Sequence, residues 1–267
     1  QSCFIPSDTS LMFTDYSHLE NKQILLEVEA LGSGRVSLNG HQIDNWDGTL
    51  PRALFFYLVD RGMSRRNEIF ETFWPNLTVR EATNVFHVTK RKISEVLGFD
   101  LTKYWSGFYH ISPDIQLRYD VEIFSQHVMD SAVASDERAL DLLSSAISLY
   151  KNDFLTSIPM SWAEKRREQL FSTYGEGLAL LARVTESSSE KEDALGLYLR
   201  ASVTNPQRED IARNVMRLYA SKQMYDDAEG VYQQLVSALE TNLVGVGPSK
   251  ETQELIGHIR SEITMLK

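Results

Sequence analysis

The spacing of apolar residues changes three times along this chain, and the order of those changes limits the fold more than any single motif. In "ILLEVEALGSGRVSLNGHQIDNW", residues 24–46, apolar and polar positions alternate, as a half-buried strand requires. Asn39-Gly40 sits between two strand-like runs, and both residues tolerate positive φ, so a hairpin is expected there. The predicted strands are 24–30, 34–38 and 41–46. From Leu50 the period becomes helical, with Leu54, Phe55, Leu58 and Val59 on one side and Gly62 as a stop. A second helix follows Ser64, its expected N-cap, and ends before Pro75. A third runs from about Arg80 to Leu97 and closes on Gly98. "YWSGFYHISPDIQLRYD" then returns to aromatic and β-branched residues with a turn at Ser106-Gly107, and everything beyond Asp120 is helical again.

Within that helical half, "DALGLY" at 193–198 recurs as "DAEGVY" at 227–232, a spacing of 34 residues. That is the period of tetratricopeptide helix pairs, in which small residues allow close helix contact and an aromatic fills the groove beside them. Asn205-Pro206 stands where a turn between repeats is expected.

Charge is unevenly placed. The whole chain carries −10, yet residues 61–103 hold eight Lys and Arg against five Asp and Glu. Residues 120–267 hold 15 against 23. A basic island before an acidic half suggests two parts with different partners. The single cysteine, Cys3, excludes an intrachain disulfide framework and a cysteine-rich zinc site, which fits a reducing, cytoplasmic setting. No apolar run is long enough for a membrane span. The sequence starts at Gln1 without a basic region and apolar stretch, so an intact signal peptide is not expected and the chain reads as a piece of something longer.

The basic island has a face. At 100° per residue, Ala82, Val85, Phe86, Thr89, Ile93, Val96 and Leu97 gather on one side of the third helix. Thr83, Asn84, His87, Lys90, Arg91 and Ser94 gather on the other, with Lys92 at the edge. Arg can bond guanine bidentately, Asn adenine, and Lys and Ser suit phosphates. Three helices, the last with a basic face, followed by a β-hairpin, follow the plan of a winged helix-turn-helix.

Other candidates point elsewhere. Trp74, Trp105 and Trp162 are expected as core anchors. "GSG" at 32–34 lacks the Lys-Ser/Thr ending of a phosphate loop and reads as a tight turn. The histidines, His18, His41, His127 and His258 among them, show no metal-ligand spacing. Glu164-Lys165-Arg166-Arg167-Glu168 is balanced in sign and reads as a solvated helix face. No catalytic residues, metal or cofactor are expected, and no enzyme.

Residues 24–124 resemble the winged-helix DNA-binding domain of OmpR/PhoB-type regulators. More closely, the chain resembles the bacterial transcriptional activator (BTAD) family, which includes the antibiotic regulatory proteins (SARPs). The matching stretches are "EALGSGRVSLNG" at 29–40, "RALFFYLVDRG" at 52–62, "FWPN" at 73–76, "NVFHVTKRKISEVLG" at 84–98 and "YDVEIF" at 119–124. In the second half they are "AISLYKNDFL" at 146–155, "SWAEKRREQL" at 161–170, "NPQREDIARNVMRLYASKQMYDDAEGVYQQL" at 205–235 and "ETNLVGVGPSKET" at 240–252.

The resemblance implies a mainly α fold with a smaller β part. Residues 1–23 would be a linker or tail, 24–119 a winged helix-turn-helix, and 120–267 an all-α, tetratricopeptide-like domain. It implies sequence-specific promoter binding with transcription activation, on double-stranded DNA, with RNA polymerase and a second copy of the chain (a homodimer on repeats) as partners. The recognition helix would be 81–97, with Asn84, His87, Lys90, Arg91 and Ser94 toward DNA and Lys92 beside them. Arg65 and Arg66 would grip phosphates, and Lys103 and His110 would serve the wing, whose tip lacks the arginine common there. Trp74, Pro75, Asn76, Leu77, Thr78, Val79 and Arg80 would form the polymerase-contact loop. The family often has Leu in place of Lys90 and Arg in place of Ser94, so the positive charge here is shifted along the helix. The alternative is a tetratricopeptide-type protein-interaction module whose winged helix no longer binds DNA.

Overall fold

The computed structural model describes residues 24–187, 191–242 and 247–265. The predicted linker 1–23, with Cys3 and His18, lies outside the described residues.

Strands β1 (Ile24–Glu29), β2 (Arg35–Leu38) and β3 (His41–Gln42) form an antiparallel meander. Asn39 and Gly40 have φ of 48° and 82°, the left-handed pair that the tight turn demands. The Asn39 carboxamide oxygen also accepts from the Leu25 N–H at 3.0 Å, which ties the turn back to β1. Leu26, Val28 and Val36 point inward, as the alternation predicts. The third strand is shorter than expected, only two residues.

Helix α1 (Thr49–Arg61) is buried almost all round, from Ala53 through Val59, and forms the centre of the core. The chain then differs from expectation at Ser64. Rather than capping a helix, Ser64 lies in strand β4 (Met63–Arg65), opposite Tyr109, and is 1% exposed. Pairing into a sheet removes it from the cap, and Arg65 takes that place, with the Glu68 carboxylate accepting its N–H at 2.9 Å. Helices α2 (Arg66–Phe73) and α3 (Val79–Leu97) follow. Thr78 and Glu81 cap α3 reciprocally, and Gly98, at φ 82°, ends it. Strands β5 (Thr102–Trp105) and β6 (Phe108–Ile111) form the hairpin, with Ser106 and Gly107 both at positive φ. They join β4 in a sheet of order β4-β6-β5, whereas β7 (Ile115–Tyr119) runs parallel to β1 in the first sheet.

Beyond Tyr119 the described chain is helical: α4 (Asp120–Ser131), α5 (Asp136–Leu149), α6 (Ser161–Ser187), α7 (Lys191–Thr204), α8 (Glu209–Ser221), α9 (Tyr225–Asn242) and α10 (Lys250–Met265). The fold is therefore mainly α with a small mixed-sheet part before a helical domain. "DALGLY" and "DAEGVY" fall in α7 and α9. Their buried small residues are Ala194 and Ala228, and Tyr198 is buried beside them. Gly196 and Gly230 face open space, so of the small residues expected at helix contacts the buried ones are the alanines two positions earlier. Asn205 and Pro206 lie in the turn joining α7 to α8.

One apolar core runs from Leu26 in β1 to Leu170 in α6, so the two sequence halves share it. Its large aromatic members, such as Phe55, Phe56, Phe86 and Phe124, are fully buried and each contributes about 1.5–3 kcal/mol. Polar clamps add to it, and Arg52 crosses between the halves by donating to the Ser157 hydroxyl at 2.7 Å. The Asp120 carboxylate accepts from the N–H groups of Ala30 and Leu31 at 2.8 and 2.9 Å. Arg167 donates to the carbonyls of Phe154, Leu155 and Ile158, and Arg52 to those of Ser33 and Gly34. The turn at 32–34 is thus a packing feature: a Cβ on Gly34 would lie 2.8 Å from Leu155.

Candidate nucleic-acid interface

Helix α3 separates its two faces cleanly. Ala82, Phe86, Thr89, Ile93 and Leu97 are buried against α1 and α2, and the Thr89 hydroxyl donates to the Val85 carbonyl at 2.7 Å, which satisfies it. On the opposite side Asn84, His87 and Arg91 are exposed. Lys90 is half-buried, its Nζ 6.0 Å above the Tyr109 ring. Arg91 makes a 3.3 Å contact with Glu95 one turn on, an exposed pair that constrains it little.

Other predicted residues are placed differently. Ser94 donates to the Asp100 carboxylate at 2.6 Å, so its hydroxyl is engaged at the end of the helix. The Lys92 ammonium lies 2.8 Å from Asp47, away from the exposed stripe. Lys103 is paired with Asp114, and that partnership holds the Asp114 carboxyl below its usual range. His110 lies beside Trp105 and Phe108, at 5.9 and 6.0 Å, and its buried Nε2 has no hydrogen-bond partner among the described residues. Arg65 and Arg66 are exposed at the start of α2, stacked over Phe108 and Phe70 at 5.0 and 5.9 Å. Stacking of this kind leaves the guanidinium N–H groups free to bond outward.

Two aromatic residues of the hairpin were not anticipated at the surface. Trp105, expected in the core, is 73% exposed, and Tyr104 is 60% exposed. The register explains it. Tyr104 pairs with Tyr109 and shares its face, toward α3, whereas Trp105 pairs with Phe108 on the other face at the hairpin's end, beyond the reach of any core. Of the remaining tryptophans named, Trp162 is buried, and Trp74 packs against Phe70 and Phe86 at 6.0 and 6.3 Å. Val88, which the sequence assigns to neither face of α3, is 49% exposed.

The loop 74–80 presents Pro75, Asn76, Leu77, Thr78, Val79 and Arg80 to solvent, anchored by Trp74. A shallow groove of about 200 Å³ lies beside it, lined by Asn67, Phe70, Trp74, Leu77 and Val79. A larger cleft, about 1120 Å³, separates α1 and α2 from α6 and holds Arg61, Arg65, Lys165 and Arg166 among its walls. The run 164–168 is therefore not simply solvated: Arg166 bonds Asp60 and Arg167 is spent on backbone carbonyls. Among the described residues no group of three or more His, Cys, Asp or Glu could hold a metal ion. No helix of the described residues is long and apolar enough to cross a membrane.

Comparison with known families adds the deciding observation: the pattern of the bacterial transcriptional activator domain matches residues 119–260, more than half of the chain. The chain belongs to the BTAD family. Its family is one of transcriptional regulators, not of enzymes. No curated protein matches this BTAD chain. Among solved structures, Mycobacterium tuberculosis EmbR, in complex with a low-affinity phosphopeptide, is similar in fold, with a TM-score of 0.71 at 18% identity. The match covers 90% of the BTAD chain and 65% of EmbR, so the chain spans about two thirds of that protein's length.

Proposed function

We propose that this chain is a sequence-specific DNA-binding regulator, an activator that seats α3 in the major groove of promoter DNA from the cytoplasm. One observation carries the proposal. The polar, cationic side of α3, with Asn84, His87, Lys90 and Arg91, is left uncovered by the helices that follow, while its apolar side is fixed by α1 and α2. Arg65 and Arg66 flank that side, their guanidinium groups suited to phosphate. Ser94, Lys92 and Lys103 would serve as secondary contacts, available only if Asp100, Asp47 and Asp114 release them, with His110 as a further one. We divide the chain at Asp120, with 24–119 for DNA and 120–267 for regulation or self-association on promoter repeats. The exposed loop 74–80 and its groove are offered to RNA polymerase.

The test is a mobility-shift titration of the Lys90→Ala, Arg91→Ala double variant on a promoter repeat. Affinity should fall tenfold or more. Unchanged affinity would remove α3 from the interface. A second reading, a protein-interaction module, is favoured by the internal pairing of Lys92, Lys103 and Ser94. It predicts negligible retention on heparin or nonspecific DNA at low salt.

A further inference from the structure

Val88 occupies an unusual place for an aliphatic residue. It lies one turn after Asn84 and one turn before Arg91, within about 60° of both around the helix axis. It is 49% exposed. The buried stripe of α3, Phe86, Thr89 and Ile93, is on the far side of the helix. Scattered exposed valines are common on protein surfaces. Here the side toward the exposed stripe holds groups suited to base edges, the Asn84 carboxamide and the Arg91 guanidinium, while Val85 and Lys92 lie on its other side.

Resting on the DNA-binding assignment above, we propose that Val88 reads thymine, its two γ-methyl groups packing against the C5-methyl of that base on the floor of the major groove. The C5-methyl is the apolar group that a base pair displays in that groove, and an aliphatic side chain is its natural complement. Asn84 and Arg91 on either side hydrogen-bond adjacent bases or phosphates, and Val88 excludes water between them. A valine does this better than a longer chain because its methyls branch at Cβ and hold one rotamer on a helix. Cationic neighbours draw the duplex onto this face, and the valine then discriminates within it. Specificity at one position thus comes from apolar contact, not from a hydrogen bond.

The experiment begins by selecting duplexes from a random library with the whole chain. Each thymine of the selected site is then replaced singly by deoxyuridine, which removes the methyl and keeps every hydrogen-bonding group. Binding of each duplex is measured by fluorescence anisotropy for the wild type and for Val88→Ala. Wild type should lose about fourfold at one or two thymines, the worth of one buried methyl. Val88→Ala should bind the thymine and uracil duplexes equally at those same positions. Equal binding of all duplexes by the wild type overturns the proposal, as does full discrimination kept by Val88→Ala. Recovery of no duplex at all would instead overturn DNA binding itself, and this inference with it.

Discussion

The guanidinium of Arg166, on α6, donates from Nε to the carboxylate of Asp60, on α1, at 3.1 Å. The Tyr119 hydroxyl donates to the same oxygen at 3.0 Å. Burial, with the carboxylate beside it, pushes the Tyr119 phenol well up, so it remains a donor. The Asp60 side chain is 6% exposed, so both donors matter to its carboxylate. A helix of the acidic half thereby fixes the central helix of the basic half. Arg166→Ala leaves the carboxylate with one donor and should destabilise the fold by about 1–3 kcal/mol. Urea unfolding measures it, and a loss below experimental error would show that solvent replaces the guanidinium.

One carboxylate caps the start of the last helix. Glu209, in the first turn of α8, accepts from the Ser249 N–H and hydroxyl at 2.9 and 2.6 Å and from the buried Thr252 hydroxyl at 2.5 Å. Burial pushes its pKa up, but these bonds outweigh it and hold the carboxyl below its ordinary 4.5. A carboxylate that titrates lower in the folded state adds stability in full above 4.5, and loses it as pH falls through the folded value. Glu209→Ala should therefore cost about 1–3 kcal/mol at neutral pH. The difference from wild type should shrink on acidification, as read from thermal melts between pH 7 and pH 3. A difference that stayed constant would mean that packing, not charge, secures α10.

Two glycines on neighbouring helices predict opposite effects. A Cβ on Gly175 of α6 would lie 1.8 Å from the Thr204 hydroxyl oxygen and 2.7 Å from its Cβ, whereas one on Gly196 of α7 would meet nothing within 4 Å. Gly175→Ala should destabilise by about 1–3 kcal/mol through overpacking. Gly196→Ala should be neutral or stabilising by up to about 1 kcal/mol, since it removes a helix-breaking residue at no steric cost. Calorimetric midpoints of the two variants should move in opposite directions.

Neighbouring cations on α3 should differ in their effect on DNA. Arg91 is exposed, whereas Lys92 is held by Asp47 at 2.8 Å and is only 35% exposed. Arg91→Ala should lower affinity by about tenfold and reduce the salt dependence, log K against log salt, by about one unit. Lys92→Ala should change both much less. Equal losses from the two would show that the Asp47 pair opens on binding.

Much of this protein can be read along the chain. The two alternating stretches, the helical period between and after them, and the stops at Gly62 and Gly98 follow from local rules of burial and backbone conformation, which need no distant partner. The separation of the α3 faces follows in the same way, because a helix fixes which residues share a side. What local pattern does not contain is pairing across distance. Ser64 looks like a helix cap until Tyr109 arrives opposite it and makes it a strand. Trp105 looks like a core residue until the hairpin register turns it outward. Lys92, Ser94 and Lys103 look free until Asp47, Asp100 and Asp114 reach them. The chain alone determined which segments are helix or strand, β4 excepted, and which face of α3 is polar. Tertiary structure alone decided which of those polar groups stay uncommitted, because an ion pair or a sheet register depends on residues that meet only once the chain has folded.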